Sequence, residues 1–582
     1  MSNALNRRDF LVRTSTVATL AAVGGTLAAC GGGDDTPADF RYGVASGDPL
    51  ADRVILWTHA KRPDSNDAVG LTWQVASDAA FASVLRSGRV TASEATSFTA
   101  KVDATGLTAG TSYFYRFLDD AGGVSTVGST RTLPAADATS VKFAVFSCAL
   151  YSEGFFNAYD SAATSDAQYA VHLGDYLYEY GADPAKFGNT DAVSLGRVIV
   201  PSNDMVSLSD YRTRYALYRA DAKLQALHAK MPWITVWDDH EFANNAYNSV
   251  DGSGAENHDP ATQGDWNTRK AIAARVYHEW MPIRTPDTTD LLKIYRRFDF
   301  GRLFTLHMLD TRIEGRDRQY DSFGDADGGY NRYGTALATG SDASRRMISA
   351  AQQAWLTDGM AASTATWQVL GNQDIMARMW IPASVLSLAS DPAAAQPAIG
   401  AYLTAKATAA AGGPLTATQT GLLDTAVNPL LPYNLDAWDG YPLQREALLQ
   451  TVKAQGKKLV ALSGDSHNAW FNHLTTLSGE KIGVEFAGSS VTSPGFESVG
   501  LGGLASSLDG SAVSPGSNGT GLGLISDLNY ADTIRRGYLL MTVTDAAVTG
   551  EFVYVSTVKS TTYTAAVGKT ISVSVGGAIS YA

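Results

Sequence analysis

From Val141 onward, six apolar, β-branched runs recur: "VKFAVFSCA", "YAVHLGDY", "WITVWDDHE", "FTLHMLDTR", "WQVLGNQD" and "KLVALSGDSH". Most of them end in polar, ligand-type residues where a simple turn would be expected. Amphipathic stretches such as "DYRTRYALYRADAKLQALHAKM" and "YPLQREALLQTVKAQ" lie between several of them. Buried strands alternating with helices predict a layered α/β domain. In such domains the functional groups gather on loops at strand ends. The chain is 582 residues long, so at least two domains are expected.

The residues before Val141 follow another pattern. Residues 40–134 hold short β-rich runs separated by turn residues, among them "RVILWTHA", "GLTWQVASD" and "FTAKVDATGL". They predict an all-β module. "LTAGTSYFYRF" has the pattern of a fibronectin-type tyrosine corner, with Tyr113 or Tyr115 as the corner residue. "TLPAADA" reads as the linker to the catalytic region, 141–556. Three stretches read as insertions: Gly-rich 321–341, Ala-rich 384–430 and Gly/Ser-rich 496–525. Either they form a rim over the site or they are plain surface loops.

The first thirty residues read as a targeting segment. "NRRDFLV" carries the twin arginine Arg7–Arg8, and the apolar stretch after it is too short to span a bilayer. It ends in "LAAC", which resembles a lipoprotein cleavage box with Cys30 as the lipidated residue; a plain small-residue cleavage site is the alternative. The expectation is export by the twin-arginine machinery and a periplasmic or cell-surface location, with Cys30 as membrane anchor. The net charge of −13 and the lack of a basic patch argue against nucleic acid as a partner. Cys148 is the one other cysteine. A lone thiol in an exported protein needs a role besides disulfide formation.

The strand ends supply that role. They offer Cys148, then Asp175 and Tyr178, then Asp238, Asp239, His240 and Asn244, and last Asp465 and His467; "NLDAWDGYP" adds Asp439. Singly each has an ordinary reading, as an N-cap acid or a satisfied core histidine. Together they are metal-ligand types. Thiolate, phenolate and imidazole suit a strongly Lewis-acidic transition metal, phenolate favouring Fe3+, whereas Asn and carboxylate oxygens suit Ca2+. Asp175 and Tyr178 are three apart, so a helical turn after the strand would put them on one face. Asp175 is the candidate carboxylate bridging two ions.

"ASGDP…VILWT", "HLGDYLYEYG", "WDDHE", "LDTR", "WDGYP" and "SGDSH", in that order from about Phe40 to Val555, resemble the PhoD-like alkaline phosphatase and phosphodiesterase family. The resemblance implies an αββα metallophosphatase sandwich preceded by an all-β fibronectin/Ig-like domain. It also implies an Fe3+ and Ca2+ centre that hydrolyses phosphoesters. Position by position, it implies Cys148, Asp175, Tyr178 and His467 on iron, and Asp175, Asn244 or Asn245, and Asp465 on calcium. Asp439 would hold a further calcium. Asp239 and His240 would orient ligands or contact phosphate, with a direct metal role as the alternative. Arg269 is the candidate phosphate clamp, its guanidinium fork matching phosphate oxygens, unless it faces solvent. Arg312 is expected to pair with core carboxylates. No G-x-S-x-G nucleophile elbow is present. The competing readings are a phosphodiesterase or phospholipase D-type hydrolase on the same metals, and a surface binding protein with structural metals only.

Overall fold

A computed structural model describes residues 36–249, 252–320, 329–341, 343–389, 391–512 and 521–582. The targeting segment 1–30, with Cys30, lies outside the described residues, as do parts of the 321–341 and 496–525 stretches. Among the described residues no helix is long and apolar enough to cross a membrane.

Two large sheets form the body. A ten-stranded sheet carries Ser140–Phe146, Tyr169–His172 and Trp233–Thr235 side by side and parallel. Its register places Phe146 opposite His172 and His172 opposite Thr235, so these three strands end level. A seven-stranded sheet carries Phe304–Met308, Trp367–Gly371, Lys458–Ser463 and Lys481–Ala487, again parallel and again ending level. The two sheets meet through aromatic contacts such as Phe143 on Phe304, with ring centroids 5.5 Å apart. Alternation along each strand sorts side chains to opposite faces. Val369, Val460 and Leu462 join the core between the sheets, whereas Leu370, Leu459 and Ala461 pack outward. That outer core includes the helices Ala350–Ala362 and Pro442–Ala454. Helices Asn157–Ala163, Leu208–Arg219, Ala222–Lys230 and Trp266–Trp280 share the core of the ten-stranded sheet. Their starts follow ordinary capping chemistry: Ser207 and Asp210 form a capping box, and Asp265 accepts from the Thr268 N–H.

The N-terminal strands do not make a separate sheet system. Strands Val84–Ala92, Val69–Ala76, Ser112–Asp119 and Gly128–Arg131 form their own sheet. Val44–Gly47, Arg53–His59 and Thr99–Thr105 instead extend the ten-stranded sheet, through parallel pairing of Gly47 with Trp233. Gly47 permits this junction: a Cβ there would stand 2.3 Å from the Pro282 carbonyl oxygen and 2.6 Å from that of Trp233. Val54, Leu56, Leu71, Val75, Tyr115 and Phe117 form the core between the two N-terminal layers. The Tyr113 hydroxyl accepts from the Thr108 N–H at 2.8 Å, the geometry of a tyrosine corner, whereas the Tyr115 hydroxyl is buried without a partner.

The Ala-rich stretch is largely helical, with Pro392–Ala410 and Ala417–Leu423 as its longer helices. Ala has the highest helix propensity, and Thr416 with Gln419 closes a capping box.

Candidate metal centre

All the ligand-type residues before Asp439, and the pair after it, stand just past the carboxyl ends of the parallel strands. Cys148 follows Phe146, Asp175 follows His172, Asp238 to His240 follow Thr235, and Asp465 with His467 follows Ser463. The level strand ends bring them together. Candidate ligand atoms of Cys148, Asp175 and His467 lie within 4.8 Å of one another, as do those of Asp175, Asp239 and His240, and those of Asp238, Asp239 and Asp465. Asp175 is common to the first two sets, the position a bridging carboxylate would hold.

The backbone is bent to achieve this. Among the described residues nine non-glycine positions have positive φ, and five are at the site: Cys148, Asp175, Asn245, Asp465 and His467. Each left-handed residue of this kind costs on the order of 1–3 kcal/mol, and such residues cluster where function requires them. Asp175 is followed by no helical turn. The left-handed bend at Asp175 does that work, and Tyr178 turns back so that its hydroxyl donates to Asp175 Oδ2 at 2.9 Å. Gly174 is required by close approach, since a Cβ there would stand 2.4 Å from the Asp238 Cβ.

A network of supports fixes the loops. Glu241 accepts from the backbone N–H groups of Asp175, Tyr176 and Asp238, at 3.0, 2.6 and 2.7 Å, stapling two strand-end loops together. Glu179 pairs with His240 Nδ1 at 2.7 Å and accepts from Asn257 Nδ2 and the Asn244 N–H. The Pro494 carbonyl lies 2.8 Å from His467 Nδ1, leaving Nε2, 3.2 Å from the Tyr178 hydroxyl, facing the site. Ser493 Oγ contacts both the Cys148 carbonyl (2.9 Å) and the Tyr178 hydroxyl (2.7 Å). Ser493 was not among the sequence candidates. Its signal was there to read: "IGVEFAGSS" is another apolar run ending in polar residues.

Arg312 is buried among carboxylates, contacting Asp238 at 2.6 Å, Asp436 at 2.7 Å, Asp465 at 2.8 Å and Asp374 at 3.0 Å. Arg316 adds a second guanidinium against Asp436 and Asp374. Asp374 and Asp436 are two further acids that motif reading passed over.

The remaining candidates have other partners. Asp439 is in none of the ligand clusters; its carboxylate accepts from the Met379 N–H at 2.8 Å and the Trp380 indole at 3.1 Å. Asn244 Oδ1 accepts from the Tyr180 hydroxyl and its amide donates to Glu256, each at 3.0 Å. The Asn245 N–H donates to Asp239 Oδ2 at 2.6 Å. Arg269 does not face solvent, being 1 % exposed. It contacts Gln263 (3.0 Å), His258 and Tyr211 (each 3.3 Å), and its Nη2 is buried without a partner.

Burial dominates the electrostatics of the centre. Burial first, and then neighbouring acids, push the Asp175 carboxyl, the Cys148 thiol and the Tyr178 phenol well above their ordinary values. Burial lifts Asp465 to about 8 against the pull of Arg312, and drives His467 down to about 3. Asp239 Oδ1 is buried with no hydrogen-bond partner. Anionic ligands held this way are disfavoured until a cation is among them, and the donor set of thiol, phenol, imidazole and carboxylates fits one.

A family model described as "PhoD-like phosphatase" matches residues 143–552, and one described as "PhoD-like phosphatase, N-terminal domain" matches residues 27–134. The chain is 32% identical over 519 residues to alkaline phosphatase D of Bacillus subtilis (strain 168), covering 85% of this chain and 77% of that protein. A solved structure described as "Structure of PhoD" superposes with a TM-score of 0.72 at 28% identity, covering 95% of this chain and 93% of that one.

Proposed function

Since the chain belongs to the PhoD-like phosphatase family and is a phosphoester hydrolase of the alkaline phosphatase D type, we propose that the clusters around Asp175 are its metal centre and that Fe3+ and Ca2+ occupy them. The observation that carries this is the convergence of Cys148, Asp175 and His467, with Tyr178 hydrogen-bonded to Asp175. In this reading Cys148, Asp175, Tyr178 and His467 hold iron. Asp175, Asp239 and Asp465 hold calcium, with Asn244 joining once its side chain leaves Tyr180 and Glu256. Bound cations supply charge neutralisation at the phosphoryl group and a lowered pKa for an attacking water.

The chain's own groups do the rest. Glu179 fixes the His240 ring through its contact at Nδ1. His240 held this way is the group placed to meet a phosphate oxygen or the leaving alkoxide. Arg269 Nη2 is the unpaired donor for a second phosphate oxygen. Glu241 and Ser493 keep the ligand loops in position.

The two-sheet body with outer helices is read as the αββα metallophosphatase sandwich, and residues 40–134 as its fibronectin/Ig-like companion. Arg7–Arg8 and Cys30 are read as twin-arginine export followed by lipid anchoring at the periplasmic or cell surface. Turnover of a nitrophenyl phosphate against its bis-nitrophenyl diester separates the readings. Faster monoester hydrolysis that is lost on chelation supports the phosphomonoesterase; preference for the diester overturns it in favour of a phosphodiesterase.

A further inference from the structure

Beside the metal centre lies a cavity of about 690 Å3, within the size range of small-molecule sites. Its walls come from the two stretches that read as insertions: Leu386 and Ile399 from the Ala-rich one, and Leu504, Leu508 and Ile525 from the Gly/Ser-rich one. Nothing in the metal centre uses these side chains. Val499, 63 % exposed, stands at its rim.

Three aromatic residues, Tyr433, Trp470 and Phe496, line the cavity as well. Phe496 meets Tyr433 and Trp470 edge-on, each with ring centroids 5.7 Å apart. All three are tied to the site. The Trp470 indole donates to Ser466 Oγ at 2.8 Å, between Asp465 and His467 in the chain. Phe496 stands two residues after Pro494, whose carbonyl orients His467. The Tyr433 phenol is held above its ordinary value by burial and then by Asp465 and Asp439. The apolar cavity and the acid cluster therefore share the loops around Ser466 and Pro494.

We propose that this cavity binds the esterified group of the substrate when that group is an alkyl chain, so that the preferred substrates are amphiphilic phosphoesters. This deepens the phosphatase reading and rests on it. The phosphate sits at the acids, the chain leaves toward Phe496 and Trp470, and its methylenes leave water among Leu386, Ile399, Leu504 and Ile525. Two inserted stretches that would otherwise be free to be polar meet here in an apolar wall.

The test uses full-length metal-loaded protein with ethyl, butyl, hexyl and octyl phosphate. Each added methylene should raise kcat/KM about fourfold, through KM, until the cavity is full. Ile399→Glu should collapse the octyl-to-ethyl ratio. Val499→Glu at the exposed rim carries less folding risk and should lower the same ratio. A flat series in the unaltered protein, or a ratio untouched by both variants, overturns the proposal. Failure to hydrolyse any of the esters would overturn the phosphatase reading instead, and calorimetry would then judge the cavity. Octylphosphonate binding at least tenfold tighter than ethylphosphonate, and weakened by Ile399→Glu, supports the proposal; equal binding overturns it.

Discussion

Asp175 concentrates the chemistry of the site in one residue. It bends the backbone, accepts from Tyr178 and lies in two ligand clusters at once. Asp175→Asn keeps the shape and removes the charge, so phosphoester hydrolysis should fall more than about a hundredfold with the far-UV spectrum unchanged. Hydrolysis at more than a tenth of the original rate would remove Asp175 from the centre. Arg312 makes the opposite case. Four acids, three of them buried and Asp465 partly so, share its guanidinium, so Arg312→Met leaves them uncompensated and should cost about 3–5 kcal/mol in a denaturant titration. Residue types at strand ends were legible in the sequence because each apolar run announces where its strand stops. The bend at Asp175 was not, because left-handed backbone at an aspartate leaves no compositional trace. What Asp439 and Arg269 touch was not legible for a related reason: a motif names a residue, but only packing decides what its side chain meets.

At the scale of elements, the helix Trp266–Trp280 shows how the N-terminal strands are held. The Trp57 indole donates to the Glu279 carbonyl at 2.9 Å, and Lys101 Nζ donates to the carbonyls of His278 and Ile283. Burial pushes Lys101 down to about 8. Its folded value therefore lies below its unfolded one, near 10.5. Between the two the unfolded chain holds a proton that the folded chain does not, so this lysine's contribution to stability rises with pH across that window. The stability of the unaltered protein relative to Lys101→Met, read from urea midpoints, should increase from about pH 8 to about pH 10. A difference independent of pH would contradict this. Asp48 anchors the same junction from the other side, pairing with Arg296 at 2.8 Å and accepting from the Arg284 N–H at 2.7 Å. Asp48→Ala should cost about 3 kcal/mol or more in the same titration. Strand and helix periodicity made these elements legible. Their pairing partners were not, because sheet register between distant segments is set by contacts such as Gly47 on Trp233 that no local pattern carries.

Over the whole molecule, the boundary near residue 134 divides the sequence but not the sheet. Three N-terminal strands complete the ten-stranded sheet, so residues 135–582 expressed alone would expose the edge at Trp233 and should be insoluble or unfolded. A soluble, cooperatively melting core would show the shared sheet to be dispensable. Both sheets contribute the ends of parallel strands to one cluster of acids, phenol, thiol and imidazole, and the account stands or falls on that cluster holding iron and calcium. The most direct measurement is metal analysis with a visible spectrum of the purified protein beside its Tyr178→Phe variant. The account predicts bound iron and calcium, and a phenolate-to-iron absorption band that disappears in the variant. Colourless, iron-free protein that still hydrolyses phosphoesters at full rate would contradict it.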